Sequence, residues 1–156
     1  MNIVVIDGQG GQVGAQLIKE ICANFQNINL TAVGTNAVAT SAMLKAGAHV
    51  GATGENPVVV ACRKADVIIG PIGIIAANSL LGEITPKMAA AIACSEAKKI
   101  LVPVSKCKIY VAGTPDLSFG DVCKAGADVF RQLFGIQDDL HAALRRQDDD
   151  IVCFLQ

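Results

Sequence analysis

The chain lacks the residue patterns of metal and dithiol sites. Its 156 residues include only two histidines, and no two of its six cysteines form a C-x-x-C pair. Zinc, iron–sulfur and dithiol redox sites depend on such spacing, so the sequence predicts no metal site. We interpret the cysteines as reduced thiols that fill small apolar spaces. A metal site would need ligands that only the fold brings together.

An excess of charge of one sign is also absent. Lysine and arginine number 13 against 14 acidic residues, which gives a net charge of −1, and the basic residues are scattered. Such a distribution offers no basic surface for nucleic acid or for an anionic membrane. We therefore expect neither nucleic acid nor a membrane among the partners of this chain.

No hydrophobic run is long and continuous enough to cross a membrane. The most apolar segment, residues 67–84, is interrupted by glycines, a proline, Asn78 and Ser79, whereas a spanning helix needs about 20 largely unbroken apolar residues. Met1 leads directly into the first predicted strand, which leaves no room for a signal peptide. These features predict a cytoplasmic protein.

Strand and helix patterns alternate along the chain, which is typical of a parallel sheet covered on both faces. Predicted strands occupy residues 2–7, 28–34, 49–50, 66–70 and 99–104. Predicted helices occupy residues 11–25, 36–46, 56–65, 85–97 and 121–135, with a weaker one at 138–147. The sequence thus predicts a single α/β domain over residues 1–156, a doubly wound, Rossmann-like three-layer sandwich with strand order 3-2-1-4-5.

A further strand is predicted at residues 108–113. Only residues 105–107 separate it from the strand at 99–104, which is too few for a parallel crossover, so we expect an antiparallel edge strand beside 99–104. From about residue 117 the sequence predicts C-terminal helices and then an apolar tail, IVCFLQ. We interpret this tail as a frayed end, with a swapped strand or docking segment as the alternative.

The first strand runs straight into a glycine turn, GQGGQVG at residues 8–14. Gly8, Gly11 and Gly14 match the G-x-x-G-x-x-G spacing of many nicotinamide-dependent Rossmann proteins. Gly8 would permit the turn, Gly11 would let the backbone approach a pyrophosphate, and Gly14 would let the helix pack on the strand. The alternative is a tight turn that binds no ligand.

Glycine and polar residues follow every predicted strand and would gather at the carboxyl edge of the sheet, where doubly wound proteins bind ligands. Ordinary helix capping explains part of this pattern. We predict a nucleotide or dinucleotide ligand here, NAD or NADP, with first contacts from the backbone N–H groups of Gly10 and Gly11. The predicted binding residues are Gly8, Gln9, Gly10, Gly11, Gly14, Thr35, Asn36, Gly70, Asn78 and Ser79.

Two features count against a standard NAD site. Asp7 immediately precedes the turn, where its charge would repel a phosphate unless it faces a hydroxyl, a water or a cation. The second strand ends in Gly34-Thr35-Asn36, with no acid for an adenosine ribose. The turn also lacks the Walker lysine, which disfavours a P-loop ATPase, and the absence of a G-x-S-x-G elbow excludes an α/β-hydrolase.

Candidate catalytic side chains are few, and each has a structural alternative that we prefer. Glu55 and Glu83 border glycine turns at the expected ligand edge, where either could act as a general base. We prefer to interpret both as carboxylates at a helix start that complement the helix dipole. His49 is interpreted as a strand-end residue rather than a catalyst. Cys107 lies between two lysines, and positive neighbours lower the pKa of a thiol, but we interpret it as a structural cysteine.

Four strings carry a resemblance to a known family: IDGQGGQVG, GTNAVATSAMLKAGA, ATGEN and IIGPIGIIAANSLLGEITPKMA. Together they resemble a family of short bacterial proteins, common in clostridia, that is known as a domain of unknown function. The resemblance covers about residues 2–113. It implies a Rossmann-like, cytosolic bacterial protein and assigns no catalytic residue.

Three classes of function stay open: a nucleotide- or dinucleotide-binding module, an enzyme acting on a phosphorylated or carboxylated metabolite, and a sensing or subunit protein without catalysis. The chain has the length of a dinucleotide-binding unit without a catalytic domain. Residues 70–82 are too apolar for an exposed loop. We expect a homodimer contact there that buries Ile72, Ile74, Ile75 and Leu80 and covers the glycine turn. A lid, or packing on the C-terminal helix, is the alternative.

Overall fold

In the computed structural model, which describes residues 1–104, 109–114 and 117–134, five parallel strands form one sheet in the order 3-2-1-4-5. The strands are β1 (Asn2–Asp7), β2 (Asn29–Gly34), β3 (Val50–Thr53), β4 (Val67–Pro71) and β5 (Lys98–Val102). β1 lies between β2 and β4, and its residues 3–6 are buried on both faces of the sheet. The predicted order of the parallel strands is confirmed.

Helices cover both faces of the sheet and create two apolar cores. The helices are α1 (Gln12–Asn24), α2 (Ala37–Lys45), α3 (Glu55–Cys62), α4 (Pro86–Ala93) and α5 (residues 119–134). One core joins α1, α2 and α5 to the sheet, and the other joins α3 and α4 to its opposite face. Within the described ranges, no helix is long and apolar enough to span a bilayer.

Capping explains where α3 and α4 begin. Thr85 caps α4 by accepting the Met88 N–H at 3.1 Å, and Pro86 is the first residue of that helix, as predicted. The sequence also predicts Asn56 as the cap of α3 and Pro57 as its first residue, and this is wrong: α3 begins at Glu55, because Gly54, with a φ of 106°, makes the turn into it. Pro57 is tolerated within the first turn because N–H groups there have no partner inside the helix.

The segment between β4 and α4 packs on its own chain. It forms two 3-10 turns, Ile72–Ile75 and Leu80–Gly82. Ile74 and Leu80 are already buried within this chain, in the core that contains α4. The prediction that a partner buries these two side chains is therefore wrong. Ile75 is 37% exposed and Leu81 is 95% exposed. The homodimer itself stays a prediction.

The predicted antiparallel edge strand is wrong for the residues that the structure describes. Residues 109–113 form no strand, and a turn follows in which the Thr114 N–H donates to the Val111 carbonyl. Tyr110 is 86% exposed, whereas a strand at this edge would bury alternate side chains. Residues 105–108, the predicted helix at 138–147 and the tail lie outside the described residues.

Candidate functional site

A cleft of about 170 Å³ opens at the carboxyl end of β1, beside the glycine turn. The strand order reverses at β1, so the connections from β1 and β4 leave for opposite faces of the sheet and separate there. The residues that line the cleft are Asp7, Gly8, Gln9, Gly10, Gly11, Gln12, Val13, Pro71, Leu80, Val104 and Phe119. The cleft lies at the edge where the sequence predicts a ligand site.

Gly11 closes the glycine turn and packs on the protein itself. It adopts a left-handed conformation with a φ of 68°, and its N–H donates to the Gly8 carbonyl at 2.9 Å. A Cβ at Gly11 would lie 2.7 Å from backbone atoms of Ala39 in α2. The sequence predicts that the N–H groups of Gly10 and Gly11 contact a ligand. Only the Gly10 N–H is free to do so, because Gly10 is exposed and its N–H has no acceptor among the described residues.

Gly8 and Gly14 allow other close approaches at the turn. A Cβ at Gly14 would lie 3.0 Å from the Asp7 Cβ, which agrees with the predicted packing of α1 on β1. A Cβ at Gly8 would lie 2.7 Å from Glu83 Oε2 and 2.8 Å from Thr35 Oγ1. Leu80 Cδ1 would also lie 2.8 Å from this Cβ, so the space above Gly8 is filled by polar and apolar side chains of this chain.

Asp7 turns its charge inward. Its carboxylate accepts the Gly8 N–H at 2.8 Å and the Gly14 N–H at 2.7 Å. Burial raises the pKa of Asp7, repulsion from Glu83 acts in the same direction, and the hydrogen bonds from Gly14 and Gly8 oppose them. Backbone N–H groups thus take the place of the hydroxyl, water or cation that the sequence suggested as its partner, and fewer donors at the start of α1 remain for a ligand.

Glu83 supplies a carboxylate at the end of β2. Its Oε2 accepts the Gln9 N–H at 2.8 Å, the Asn36 Nδ2 at 3.0 Å and the hydroxyl of Thr35. Burial acts to raise the pKa of Glu83, but these hydrogen bonds outweigh it and hold the pKa below its usual value. Its Oε1 accepts no hydrogen bond from the described residues. Glu83 is therefore an ionised acceptor at neutral pH.

The interpretation of the two glutamates as helix-start carboxylates applies to Glu55 alone. Glu55 is the first residue of α3, accepts the Thr85 hydroxyl at 2.7 Å and pairs with Lys87 at 3.2 Å. Glu83 instead contacts the glycine turn and lies outside α4. Sequence reasoning noted its place near the ligand edge but had no signal for its contact with Thr35, which depends on the path of residues 72–83.

The other predicted binding residues divide into two groups. Asn36 caps α2 by accepting the Ala39 N–H at 2.9 Å and donates to the Gln9 carbonyl at 3.0 Å, so it joins α2 to the glycine turn. The predicted residues that do not line the cleft are Gly14, Thr35, Asn36, Gly70, Asn78 and Ser79, and Glu83 does not line it either. Thr35 and Asn36 lie beside the cleft, because Glu83 joins them to the cleft residue Gln9. Gly70 lies inside β4 against β1. The Asn78 N–H donates to the Ile84 carbonyl, and the Ser79 hydroxyl donates to the Gly73 carbonyl.

The remaining candidates have structural contacts. His49 Nδ1 accepts the Leu30 N–H at 3.1 Å, as suits a strand-end residue. Burial raises the pKa of Cys62 and of Cys123 to about 11, so both are inert thiols that fill the cores. No group of potential ligands able to hold a metal ion occurs in the described part of the chain. Cys107 lies outside that part.

Comparison with known proteins identifies the family. A family model described as a domain of unknown function (DUF3842) matches residues 2–133, and the chain belongs to this family. Among solved structures, the chain is similar to a dodecameric FMN-dependent UbiX-like decarboxylase from Escherichia coli O157:H7. The two share 14% sequence identity with a TM-score of 0.48, over 86% of this chain and 95% of the other. No curated protein matches.

Proposed function

We propose that the chain binds a nucleotide of the NAD type at the carboxyl edge of its sheet. The observation that carries the proposal is the Glu83 carboxylate, held by Thr35, Asn36 and the Gln9 N–H at the end of β2. In dinucleotide-binding Rossmann proteins an acid at the end of this strand accepts hydrogen bonds from the adenosine ribose. Glu83 offers that acceptor from a distant part of the sequence.

The charge around the cleft favours NAD over NADP. No lysine or arginine is among the residues that line the cleft in the described chain. A ribose 2′-phosphate beside ionised Glu83 would be repelled, whereas the free diol of NAD would donate to Oε1. The ligand is thus expected to reach this position with hydroxyl groups rather than with a phosphate.

The glycine turn offers a phosphate contact at Gly10. Its N–H lies near the start of α1, where the helix dipole favours an anion. Leu80, Val104 and Phe119 add apolar wall to the same cleft. About 170 Å³ is smaller than a complete dinucleotide site, which occupies about 300–1,000 Å³. The cleft is therefore proposed to hold a phosphate at the glycine turn, with the ribose beside the cleft at Glu83 and the rest of the ligand extending along the sheet edge.

Titration calorimetry with NAD and with NADP tests this proposal. Glu83→Gln keeps the size of the side chain but removes its charge, and a hydrogen bond to a charged group contributes about 1.5–3 kcal/mol. NAD binding should weaken by about 10- to 100-fold, and the preference for NAD over NADP should narrow. Gly10→Val should also weaken binding by filling the cleft.

Glu55→Gln is the matched control, because Glu55 follows β3 at the same sheet edge but contacts Thr85 and Lys87 outside the cleft. It should bind NAD like the unmodified chain. A stronger affinity for NADP than for NAD, equal effects of the two glutamine variants, or the absence of NAD binding would each contradict the proposal.

A further inference from the structure

A second and larger groove, of about 950 Å³, runs along β5. One wall is β5 itself, a second is the irregular segment at residues 109–114 with Leu117, and a third is one side of α5. The lining residues are Lys99, Ile100, Leu101, Val102, Pro103, Ile109, Tyr110, Val111, Thr114, Leu117, Val122, Ala125, Gly126 and Val129. Because five consecutive residues from 99 to 103 line it, the groove includes the main chain of β5 and not only one face of the strand.

Among the residues that the structure describes, no strand pairs with the outer edge of β5, and this edge faces the groove. β5 pairs with β4 on one side, and it is the last strand of the sheet. Beyond that ladder, its backbone forms two hydrogen bonds to described residues outside β4. The Lys98 N–H donates to the Asp66 carbonyl, which precedes β4, and the Val102 carbonyl accepts the Val104 N–H. An open edge presents N–H and C=O groups that pair readily with another extended segment.

The groove is also apolar. Tyr110, Val111, Leu117 and Val129 all line it and are 86%, 38%, 41% and 42% exposed. An open strand edge beside exposed apolar side chains suits an apolar strand, which would pair with the edge and cover those side chains together.

We propose that residues 151–156 of this chain, IVCFLQ, dock in the groove as an additional strand paired with β5. This segment lies outside the described residues, and its first five residues are all apolar. A strand buried on both faces has such a continuous apolar run rather than an alternating one. The antiparallel edge strand expected at residues 108–113 is thereby assigned to a different segment.

The path of the chain brings this segment to the groove. α5 ends beside the first residue of β5, where Lys98 Nζ lies 5.0 Å from the centre of the Phe134 ring. The sequence predicts a ten-residue helix at 138–147, which would be about 15 Å long. The five residues of β5 extend about 16 Å. Residues 135–150 can therefore return the chain to the carboxyl end of β5.

The handedness of the connection gives the direction of the added strand. α4 joins β4 to β5 from one face of the sheet, and α5 packs on the opposite face with α1. A parallel strand beyond β5, reached through α5, would make a left-handed crossover, and about 98% of such crossovers are right-handed. The segment 151–156 is therefore antiparallel to β5.

Hydrogen–deuterium exchange tests the proposal on the whole chain and on a variant that ends at Asp150. In the whole chain, amides of residues 99–102 should be protected more completely than those of β3, the opposite edge strand. In the shortened variant, exchange at residues 99–102 should accelerate at least tenfold, while exchange in β3 stays unchanged. Phe154→Asp should reproduce this acceleration in a chain of full length, with Gln156→Asn as its control.

Two results would overturn the proposal. The first is that β5 in the whole chain is protected from exchange no better than β3. This measurement needs no variant, so it remains informative if the shortened chain fails to fold. The second is protection of β5 that rises with protein concentration and is lost when a dimer dissociates, because the groove would then hold the tail of a second copy.

Discussion

The substitution Gly11→Ala should destabilise the fold, whereas Gly10→Ala one residue earlier should not. Gly11 has a φ of 68° and lies against the backbone of α2, with only 2.7 Å between an added Cβ and Ala39. Backbone cannot move aside as a flexible side chain can. Gly10 has a negative φ, and an added Cβ would meet only Gln12 Cγ at 3.9 Å.

The expected loss follows from two independent costs. An L-residue in the left-handed region costs about 1–2 kcal/mol, and forcing a methyl group into close-packed surroundings costs about 1–3 kcal/mol. Together these predict a loss of about 2–5 kcal/mol in the free energy of unfolding, or about 5–20 °C in Tm for a chain of this size. Gly10→Ala should stay within about 0.5 kcal/mol of the unmodified chain.

Urea unfolding followed by circular dichroism, with calorimetry for Tm, measures both variants. A Gly11→Ala variant as stable as Gly10→Ala would refute the argument, because it would mean that α2 does not approach the turn as closely as the structure shows. Gly11 is consequently a poor position at which to test ligand binding, and Gly10 is the better one.

Other consequences of the structure can be measured in the same way. The pKa of Asp7 is raised in the folded state, so the free energy of unfolding should fall as pH rises from about 4, the ordinary pKa of an aspartate, toward that raised pKa. Urea midpoints measured across this pH range should show the decline, and Asp7→Asn should remove it. The pH dependence that Glu83 contributes has the opposite sign, because its pKa is lowered in the folded state. Its contribution to the free energy of unfolding is lost as pH falls below the ordinary glutamate pKa, and Glu83→Gln should reduce that loss. Ile74→Asp should cost about 3–5 kcal/mol by burying an unpaired charge, whereas Leu81→Asp, at a site 95% exposed, should fold normally and weaken any homodimer that sedimentation detects. Cys62, whose pKa is raised to about 11 by burial, should react with a thiol reagent at neutral pH only as fast as the protein unfolds.

Much of the fold could be predicted because its signals are local. Continuous apolar runs mark β1 and β4, and Thr85 with Pro86 marks the start of α4. Short connections limit the topologies to a few, so the strand order follows from right-handed crossovers. The segment 108–113 misled the prediction because apolar composition alone does not distinguish a strand from an irregular segment along a groove.

The candidate site was only partly predictable from the sequence. The glycine turn and its place after β1 were identified correctly, since a strand, a tight turn and a helix follow one another along the chain. The contact of Glu83 with Thr35 joins residues 48 positions apart, and no local pattern encodes it. Gly70 ends a predicted strand and Ser79 lies later in the same connection, yet neither lines the cleft. Gly70 lies against β1, and the Ser79 hydroxyl donates to the Gly73 carbonyl within its own segment.

The sequence by itself determined the doubly wound architecture, the position of the glycine turn and the edge of the sheet at which that turn lies. Each depends on neighbours along the chain: apolar periodicity, helix caps and the length of connections. Only the tertiary structure decided that Asp7 turns inward, that Gly11 packs closely against α2, and that the Glu83 carboxylate lies at the end of β2. These depend on distances between segments that are remote in sequence, which packing alone sets.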